Sequence, residues 1–596
     1  MILKSSPKIF NEYKCDSPEN TIARIKEGFK KLGLDISYRE QVLTSNDLSI
    51  YTGLASIEVL GWSQCGKGTS KLLAKASAYA EMAERFSAGF ILMKIPLPRE
   101  PSKFQKLMTT LVDRSFLNGF EKVKNHKSVT YKNVLKYFNE EISKTTYDIL
   151  KNEHLLDAVA DAYSLNKNQY EKLPINLIEI LSMSNGLASG NTLEEAITQA
   201  SCEIFERHAV YEILSKKIIC PTIELESIKN AKIQGYIKLL KNLNIDIEMK
   251  DFSLNSKIPV VGILFTNHNL DDSKNRLLRN IHYKRIDAGS HLDINEAIIR
   301  TLTEYVDLIS SGIKDIEKLQ TLYESWIDLG NKYVGPDNDF KYLTREYDYY
   351  GDLTFLEKGK KISIDDLKSS KNNDCYDDVK EIIEICKKNN WDIFAVDFTN
   401  KVLKFPTVRV IIPPISTDFD VFRRKIFNIK NFDERINYFY GIKNFYKYVS
   451  QDKWIKDKKQ ISLLINNIEN FLSKELNHYV FPMSREGIFF QWVNLIHILP
   501  FLYLSINDLE NAKKYFQLNI KISTQPPTES PFFRFLYSTK YSEKNYKRYI
   551  NYIDKKVINN KNNFELKSNP FDMEPCNEEQ EQMYFKIFRK IGESFY

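Results

Sequence analysis

Two stretches of this chain set carboxylates along one helical face and end in Glu-x-x-Glu-Arg. The first carries Ser77, Glu81, Glu84 and Arg85, the second Gln199, Glu203, Glu206 and Arg207. In both, the members fall at i, i+4, i+7 and i+8, which is one side of an α-helix. Two such helices can surround a single charged ligand with four carboxylates. Carboxylates within about 6 Å of one another repel and raise each other's pKa unless cations intervene. Two arginines cannot neutralise such a cluster, whereas hard divalent cations can. Mg2+ takes one or two carboxylates together with phosphate oxygens and waters, and arginine forks suit the same phosphates. The chemistry this implies is a Mg–nucleotide site.

The elements that must hold these residues repeat as well. The second copy follows the first at an offset of 122 residues, which also places Gly68 on Gly190 and Arg85 on Arg207. A third, degenerate copy follows at 101, placing Glu296 on Glu195, Glu304 on Glu203 and Asp307 near Glu206, with the register loose at Arg300, an arginine near the place of Ser77 and Gln199. Each copy reads as a glycine-bearing turn (63–69, 184–191, 289–295) followed by a helix (72–90, 193–214, and a third to about 311). Glycine turns at helix N-termini offer backbone N–H groups to anions. Such units predict internal pseudo-symmetry, with the helices side by side over a sheet. Strands are predicted within 245–265, 391–397 and 407–412, a capped helix over 17–34, and a surface insertion or linker at 358–373.

Beyond about 418 glycine nearly disappears and apolar residues recur at helical spacing. This predicts an α+β domain over 1–418 and an all-α domain over 430–596, in which 504–522 resembles half of a tetratricopeptide-like hairpin. Phe532, Phe533, Tyr537 and Tyr541 read as its core. The 596 residues exceed what one core supports. A composition of 43% hydrophobic and 27% charged residues excludes a disordered chain. The net charge of +7, from 85 basic and 78 acidic residues, is too diffuse to argue for direct nucleic-acid binding. No apolar run is long enough to span a bilayer, and the seven cysteines are dispersed without C-x-x-C. A cytoplasmic, membrane-free protein with reduced thiols and no structural zinc is expected.

One decoy is set aside. Gly61-x4-Gly66-Lys67 resembles a Walker A loop, but Gly68 stands where Ser or Thr should ligate magnesium. Lys67 is left either as a phosphate contact or as a surface lysine, and His208, beside Arg207, as a structural residue. No H-E-x-x-H and no G-x-S-x-G occurs.

The segments SQCGKGTSKLLAKASAYAEMAERFSAG, SNGLASGNTLEEAITQASCEIFERHAV and GSHLDINEAIIRTLTEYVD resemble the three ATP-binding signatures of the YcaO superfamily, in the right order. The resemblance implies that Glu81, Glu84, Glu203 and Glu206 hold Mg2+ against the triphosphate of ATP. It places Ser77, Arg85, Asn191, Glu195, Gln199, Arg207, Arg300 and Glu304 along the nucleotide, with Lys14 and Thr21 joining from the N-terminus. One departure stands out: the serine opening the second signature falls on Ala188, leaving Ser189 or Ser184 as substitutes or a hydrogen bond lost. The family's chemistry implies ATP-dependent activation of an amide on a protein or peptide substrate. The chain ends RKIGESFY, without the Pro-x-Pro-x-Pro tail of azoline-forming members. It is more similar to members with a helical extension, accessory factors for β-methylthiolation of an aspartate in a small-subunit ribosomal protein alongside the methylthiotransferase RimO. Formation of azolines or thioamides on a ribosomally made peptide, and a nucleotide-stabilised scaffold without catalysis, are the alternatives. Family resemblance also suggests a homodimer.

Overall fold

Three sheets underlie the acidic helices, and each passes one edge strand directly into one of them. The computed structural model describes 1–90, 120–122, 130–312 and 353–416 with short gaps, and separate helical pieces within 458–469, 499–522, 547–554 and 578–594. The first sheet has the order β1 (Ser37–Ser45), β2 (Leu48–Ile57), β3 (Trp62–Gly68). The second runs β11 (Lys284–Ser290), β10 (Val260–Asn267), β9 (Ile245–Asp251), β8 (Thr222–Ile223), β12 (Lys361–Ile362). The third runs β4 (Phe120–Lys122), β5 (Ala158–Ser164), β13 (Phe394–Asp397), β14 (Thr407–Ile411), β7 (Leu187–Ser189), with β6 (Gln169–Pro174) also on β5.

Eight described helices are twelve residues or longer: α1 (Pro18–Lys31), α2 (Lys71–Ser87), α3 (Leu193–Lys216), α4 (Ala231–Asn242), α5 (Ile294–Gly312), α6 (Cys375–Lys388), α7 (Leu509–Ile522) and α8 (Glu578–Glu593). The acidic helices α2, α3 and α5 follow β3, β7 and β11, each an edge strand of its own sheet. The expectation of three helices over one sheet is thus corrected to three sheets, each delivering one helix from its edge. The fold of the described N-terminal residues is mixed α/β.

The turn predicted at 63–69 is also corrected. Trp62–Gly68 is a strand, paired along its length with Tyr51–Ile57 of β2. Its glycines read as turn signals, yet they are there because a helix passes close over the strand. A Cβ on Gly66 would lie 2.1 Å from the Ala78 nitrogen and 2.4 Å from the Ala74 oxygen, both backbone atoms of α2. A Cβ on Gly289 of β11 would meet the same two places of α5, the Ala297 oxygen at 2.7 Å and the Thr301 nitrogen at 2.8 Å. The offsets 122 and 101 carry Gly66 to Ala188 and on to Gly289, so each unit keeps a small residue where its helix crosses its strand.

The N-caps keep the same offsets. Ser70 accepts the Leu73 N–H at 3.2 Å and Thr192 the Glu195 N–H at 3.1 Å, while Asp293 accepts the Asn295 N–H at 2.9 Å. Each cap satisfies an otherwise orphan donor of the first turn.

Segment 358–373 is not a free linker. Lys361 and Ile362 pair in parallel with Thr222 and Ile223, and Ile364 is buried with the core of the second sheet. Its lysines and serines masked two apolar residues that cover a sheet edge. The strand predictions for 391–397 and 407–412 correspond to β13 and β14.

Helix α1 starts at the Ser17 cap and buries Ile25 and Phe29, with the Phe29 ring edge-on to Phe86 of α2 at 5.1 Å between centroids. Such pairs add about 0.5–1.5 kcal/mol beyond area burial. The last helix joins this same core: Ile591 of α8 is fully buried in it, and the Asn400 amide donates to the Ser594 hydroxyl at 3.0 Å. Ile591→Ala is therefore expected to destabilise the N-terminal sheet by about 2–4 kcal/mol. Denaturant unfolding followed by the fluorescence of Trp62, which sits in that core, checks this. In α7, Ala512, Tyr515 and Phe516 are fully buried, and the Tyr515 hydroxyl donates to Glu469 at 2.6 Å. Phe532, Phe533, Tyr537 and Tyr541 lie outside the described residues.

Candidate functional site

The charged faces of the three acidic helices line a common cavity of about 420 Å³. Each residue assigned to metal or nucleotide from the resemblance borders it: Glu81, Glu84, Glu203 and Glu206, and Lys14, Thr21, Ser77, Arg85, Asn191, Glu195, Gln199, Arg207, Arg300 and Glu304. The sequence missed Tyr13, Lys232 and Thr303, which border it too, and aligned Glu296 with Glu195 without assigning it to the site. Glu296 lies one turn before Arg300 on α5 and Thr303 one turn after it, so the helical period was a signal for them. Tyr13 and Lys232 come from elements with no such pattern.

The register of the third copy is tighter than its sequence suggested. At an offset of 101 Arg300 takes the place of Gln199 itself, and the two meet: Arg300 Nη2 donates to Gln199 Oε1 at 2.6 Å, and Nη1 to the Ser290 carbonyl at 3.3 Å. The equivalent positions of the three helices are therefore Ser77, Gln199 and Arg300, converging from three directions. The side chain of Asp307 lies outside the described residues. Lys67 proves to be part of the wall rather than a plain surface lysine, and it pairs with Glu304.

The carboxylates carry the electrostatic signature expected of a crowded cluster. Burial pushes Glu84 up to about 8, with Glu203 and Glu81 adding to the rise and Arg85 and the Ser189 N–H opposing it. Burial likewise pushes Glu206 up to about 8, helped by Glu304 and Glu203 and opposed by Arg207 and Arg300. Glu81 is raised by burial, Glu203 and Glu304. The arginines are spent close to home: Arg207 Nε donates to Glu203 at 2.9 Å, and Arg85 lies 3.6 Å from Glu81 and 3.4 Å from Glu84. Arg85 Nη1 is buried without a hydrogen bond. At neutral pH the metal-free protein therefore holds protons on Glu84 and Glu206 in place of positive charge.

A different set of contacts brings the N-terminus to the cavity. Glu195 accepts Lys14 Nζ at 3.0 Å, the Cys15 N–H at 2.9 Å and the Asn191 amide. Burial acts to raise its carboxyl, but Lys14 and these donors outweigh burial and hold it below the usual range. The Thr21 hydroxyl donates to Asn191 Oδ1 at 2.8 Å, as does Arg24 Nη2 at 3.0 Å. Lys14 and Thr21 thus reach the start of α3 across more than 160 residues of sequence. His208 turns away from the cluster, edge-on to Trp391 at 6.3 Å.

A family model described as YcaO cyclodehydratase, ATP- and Mg2+-binding, matches residues 65–416. The chain belongs to the YcaO family. Among curated relatives, a Haemophilus influenzae protein is 27% identical over 264 residues, 42% of this chain and 41% of that one. The ribosomal protein S12 methylthiotransferase accessory factor YcaO of Escherichia coli is 28% identical over 153 residues, 25% of this chain and 24% of that one. The match thus spans less than half the length of these relatives. Among solved structures, YcaO from Methanopyrus kandleri bound with AMPPCP and Mg2+ is 17% identical, with a TM-score of 0.44, over 68% of this chain and 93% of that one. A heterocyclase in complex with substrate and cofactor is 18% identical, with a TM-score of 0.45, over 69% and 54%.

As a YcaO domain this one is ATP- and Mg2+-binding, and its residues fit that pair. Among the described residues no three acidic, histidine or cysteine side chains are yet close enough to ligate an ion. The fit lies in the donor chemistry: buried carboxylates from facing helices with raised pKa, Arg85 Nη1 without a hydrogen bond, and glycines where the backbone borders the cavity. A Cβ on Gly190 would come within 2.7 Å of the Ala196 nitrogen in the first turn of α3.

Ala188 is fully buried on β7 at the place of Gly66 and Gly289, where a helix crosses its strand. Of its two substitutes, Ser184 does not border the cavity. Ser189 does, but its hydroxyl donates to the Ala80 carbonyl at 3.0 Å and its N–H to Glu84. It ties α2 to β7 and orients a carboxylate.

A cation held by Glu84 and Glu206 would require both in their charged forms. Mg–nucleotide affinity is therefore expected to rise with pH up to about 8 and flatten above, about ten-fold per unit for each proton released. Titration calorimetry in buffers of different ionisation enthalpy reads this release directly. The sign for stability is opposite. Both groups sit above their unfolded value of 4.5, so the metal-free fold loses stability as pH rises from about 4.5 to about 8.

Proposed function

We propose that this protein is an ATP-hydrolysing YcaO enzyme that activates an amide carbonyl of a protein or peptide, and that it serves as an accessory factor for β-methylthiolation of an aspartate in a small-subunit ribosomal protein, with the methylthiotransferase RimO as partner. The observation that carries the catalytic part is the pairing of α2 and α3, which bring two glutamates and an arginine each to one cavity. Glu81, Glu84, Glu203 and Glu206 hold Mg2+. Arg85, Arg207 and Arg300 face phosphate, each beside carboxylates that keep it oriented. Lys14 and Thr21 act through Glu195 and Asn191, fixing the start of α3. Bound ATP supplies phosphorylation of the amide oxygen, which turns oxide, a poor leaving group, into phosphate. Three helices from three sheets give the site rigid walls, which is what electrostatic preorganisation requires.

The accessory role is supported by similarity to the Escherichia coli accessory factor and by helical pieces beyond residue 458. Deleting the gene in its host and weighing the intact ribosomal protein tests it. Loss of the methylthio adduct is expected. An unchanged adduct defeats the accessory role and leaves amide activation on another substrate.

A further inference from the structure

The cysteines look dispersed in the sequence, yet two of them, 360 residues apart, meet in the fold. Cys15 Sγ lies 3.2 Å from Cys375 Sγ. Their backbones are held in step. The Cys375 N–H donates to the Ser6 carbonyl at 3.0 Å, the Lys8 N–H to Asn373 at 2.9 Å, and Pro7 bridges Asp374. Ser5 and Ser6 cap Asp374 from the other side, and Lys8 forms a buried ion pair with Asp378 at 2.7 Å. The first sixteen residues thus form a strap laid across the start of α6, with Lys14 and the Cys15 N–H reaching Glu195 at the cavity wall.

We propose that Cys15 and Cys375 are a redox pair which a peroxide closes to a disulfide, pinning this strap to α6 beside the cavity. The sulfurs need to approach by only about 1.1 Å to reach bonding distance. Cys15 is half-exposed while Cys375 is buried, so the oxidant meets Cys15 first. Its hydrogen bond with Cys15, together with burial, keeps the Cys375 thiol protonated far above the usual thiol range, which agrees with that order. Cys15 sulfur attacks the peroxide: an S–O bond forms, the O–O bond breaks, and water leaves. Cys375 sulfur then displaces the sulfenic oxygen: the S–S bond forms, the S–O bond breaks, and a second water leaves. Two thiols lose two electrons and two protons, and the peroxide becomes two waters. Among the described residues no third ligand completes a metal site around the pair, which favours redox chemistry over metal binding. The proposal is independent of the substrate.

The test is to expose the reduced full-length protein to hydrogen peroxide. A mass loss of about 2 Da, a Cys15–Cys375 cross-linked peptide in a non-reducing digest, and reversal by dithiothreitol are expected. Cys65→Ser forms the same link. Cys375→Ser forms none and leaves Cys15 as a sulfenic acid trapped by dimedone. If Cys375→Ser fails to fold, Cys15→Ser serves, also giving no link. Hydrogen exchange of residues 4–15 is expected to slow in the oxidised protein. A link between other cysteines, or over-oxidation of Cys15 without a link, overturns the pair. A correct link with unchanged exchange overturns the pinning.

Discussion

Glu203→Gln combined with Glu206→Gln is expected to lower the affinity for Mg-ATP by about 100-fold or more while the protein stays folded. The two changes remove half of the four-glutamate set and both members that α3 contributes. In the metal-free protein Glu206 is held near a pKa of about 8 and so carries a proton at neutral pH. Glutamine matches that neutral acid in shape and polarity, so the fold loses little. What disappears is the capacity to ionise when a cation arrives. Arg207, released from Glu203, retains its charge and cannot substitute for a metal ligand. Isothermal calorimetry with AMPPCP and Mg2+, alongside a melting curve, separates the two effects. Unchanged affinity would refute the metal assignment.

Gly66→Ala is expected to have an effect out of proportion to one methyl group. The new Cβ would stand 2.1 Å from the Ala78 nitrogen and 2.4 Å from the Ala74 oxygen, neither of which can move without α2. Overpacking of this kind costs about 1–3 kcal/mol. The helix is forced off β3, and it carries Ser77, Glu81, Glu84 and Arg85. Stability and nucleotide affinity should fall together, read by thermal unfolding and calorimetry on the same sample. Ala188→Gly, at the equivalent place of the second unit, is expected to leave affinity within a few-fold, because β7 already tolerates the methyl there. If Gly66→Ala binds and melts like wild type, the close crossing of α2 over β3 is wrong.

The acidic stripes were legible because a helix writes its faces into the sequence every three to four residues, and no distant residue is needed to read them. The cap at Ser17 was legible for the same reason. The loose register at Arg300 was a misreading of a signal that was present, since the offset of 101 holds from Asp293 to Glu304. Glycine misled at 63–69 because the same residue serves a turn through its backbone freedom and a strand through its lack of a side chain. At 358–373 two apolar residues in a polar stretch were too few for a period, though pairing with β8 is enough to fix them.

By itself the sequence determined which side chains share a helical face, that the face recurs, and that its chemistry calls for cations and phosphate. Only the tertiary structure decided that three separate sheets present those faces to one cavity, that Gln199 and Arg300 touch, that the N-terminus reaches Glu195, and that Cys15 lies against Cys375. The physical reason is range. Helical periodicity and capping are set by residues a few positions apart, whereas edge-strand placement and thiol contact depend on packing between segments hundreds of residues apart, which no local pattern records.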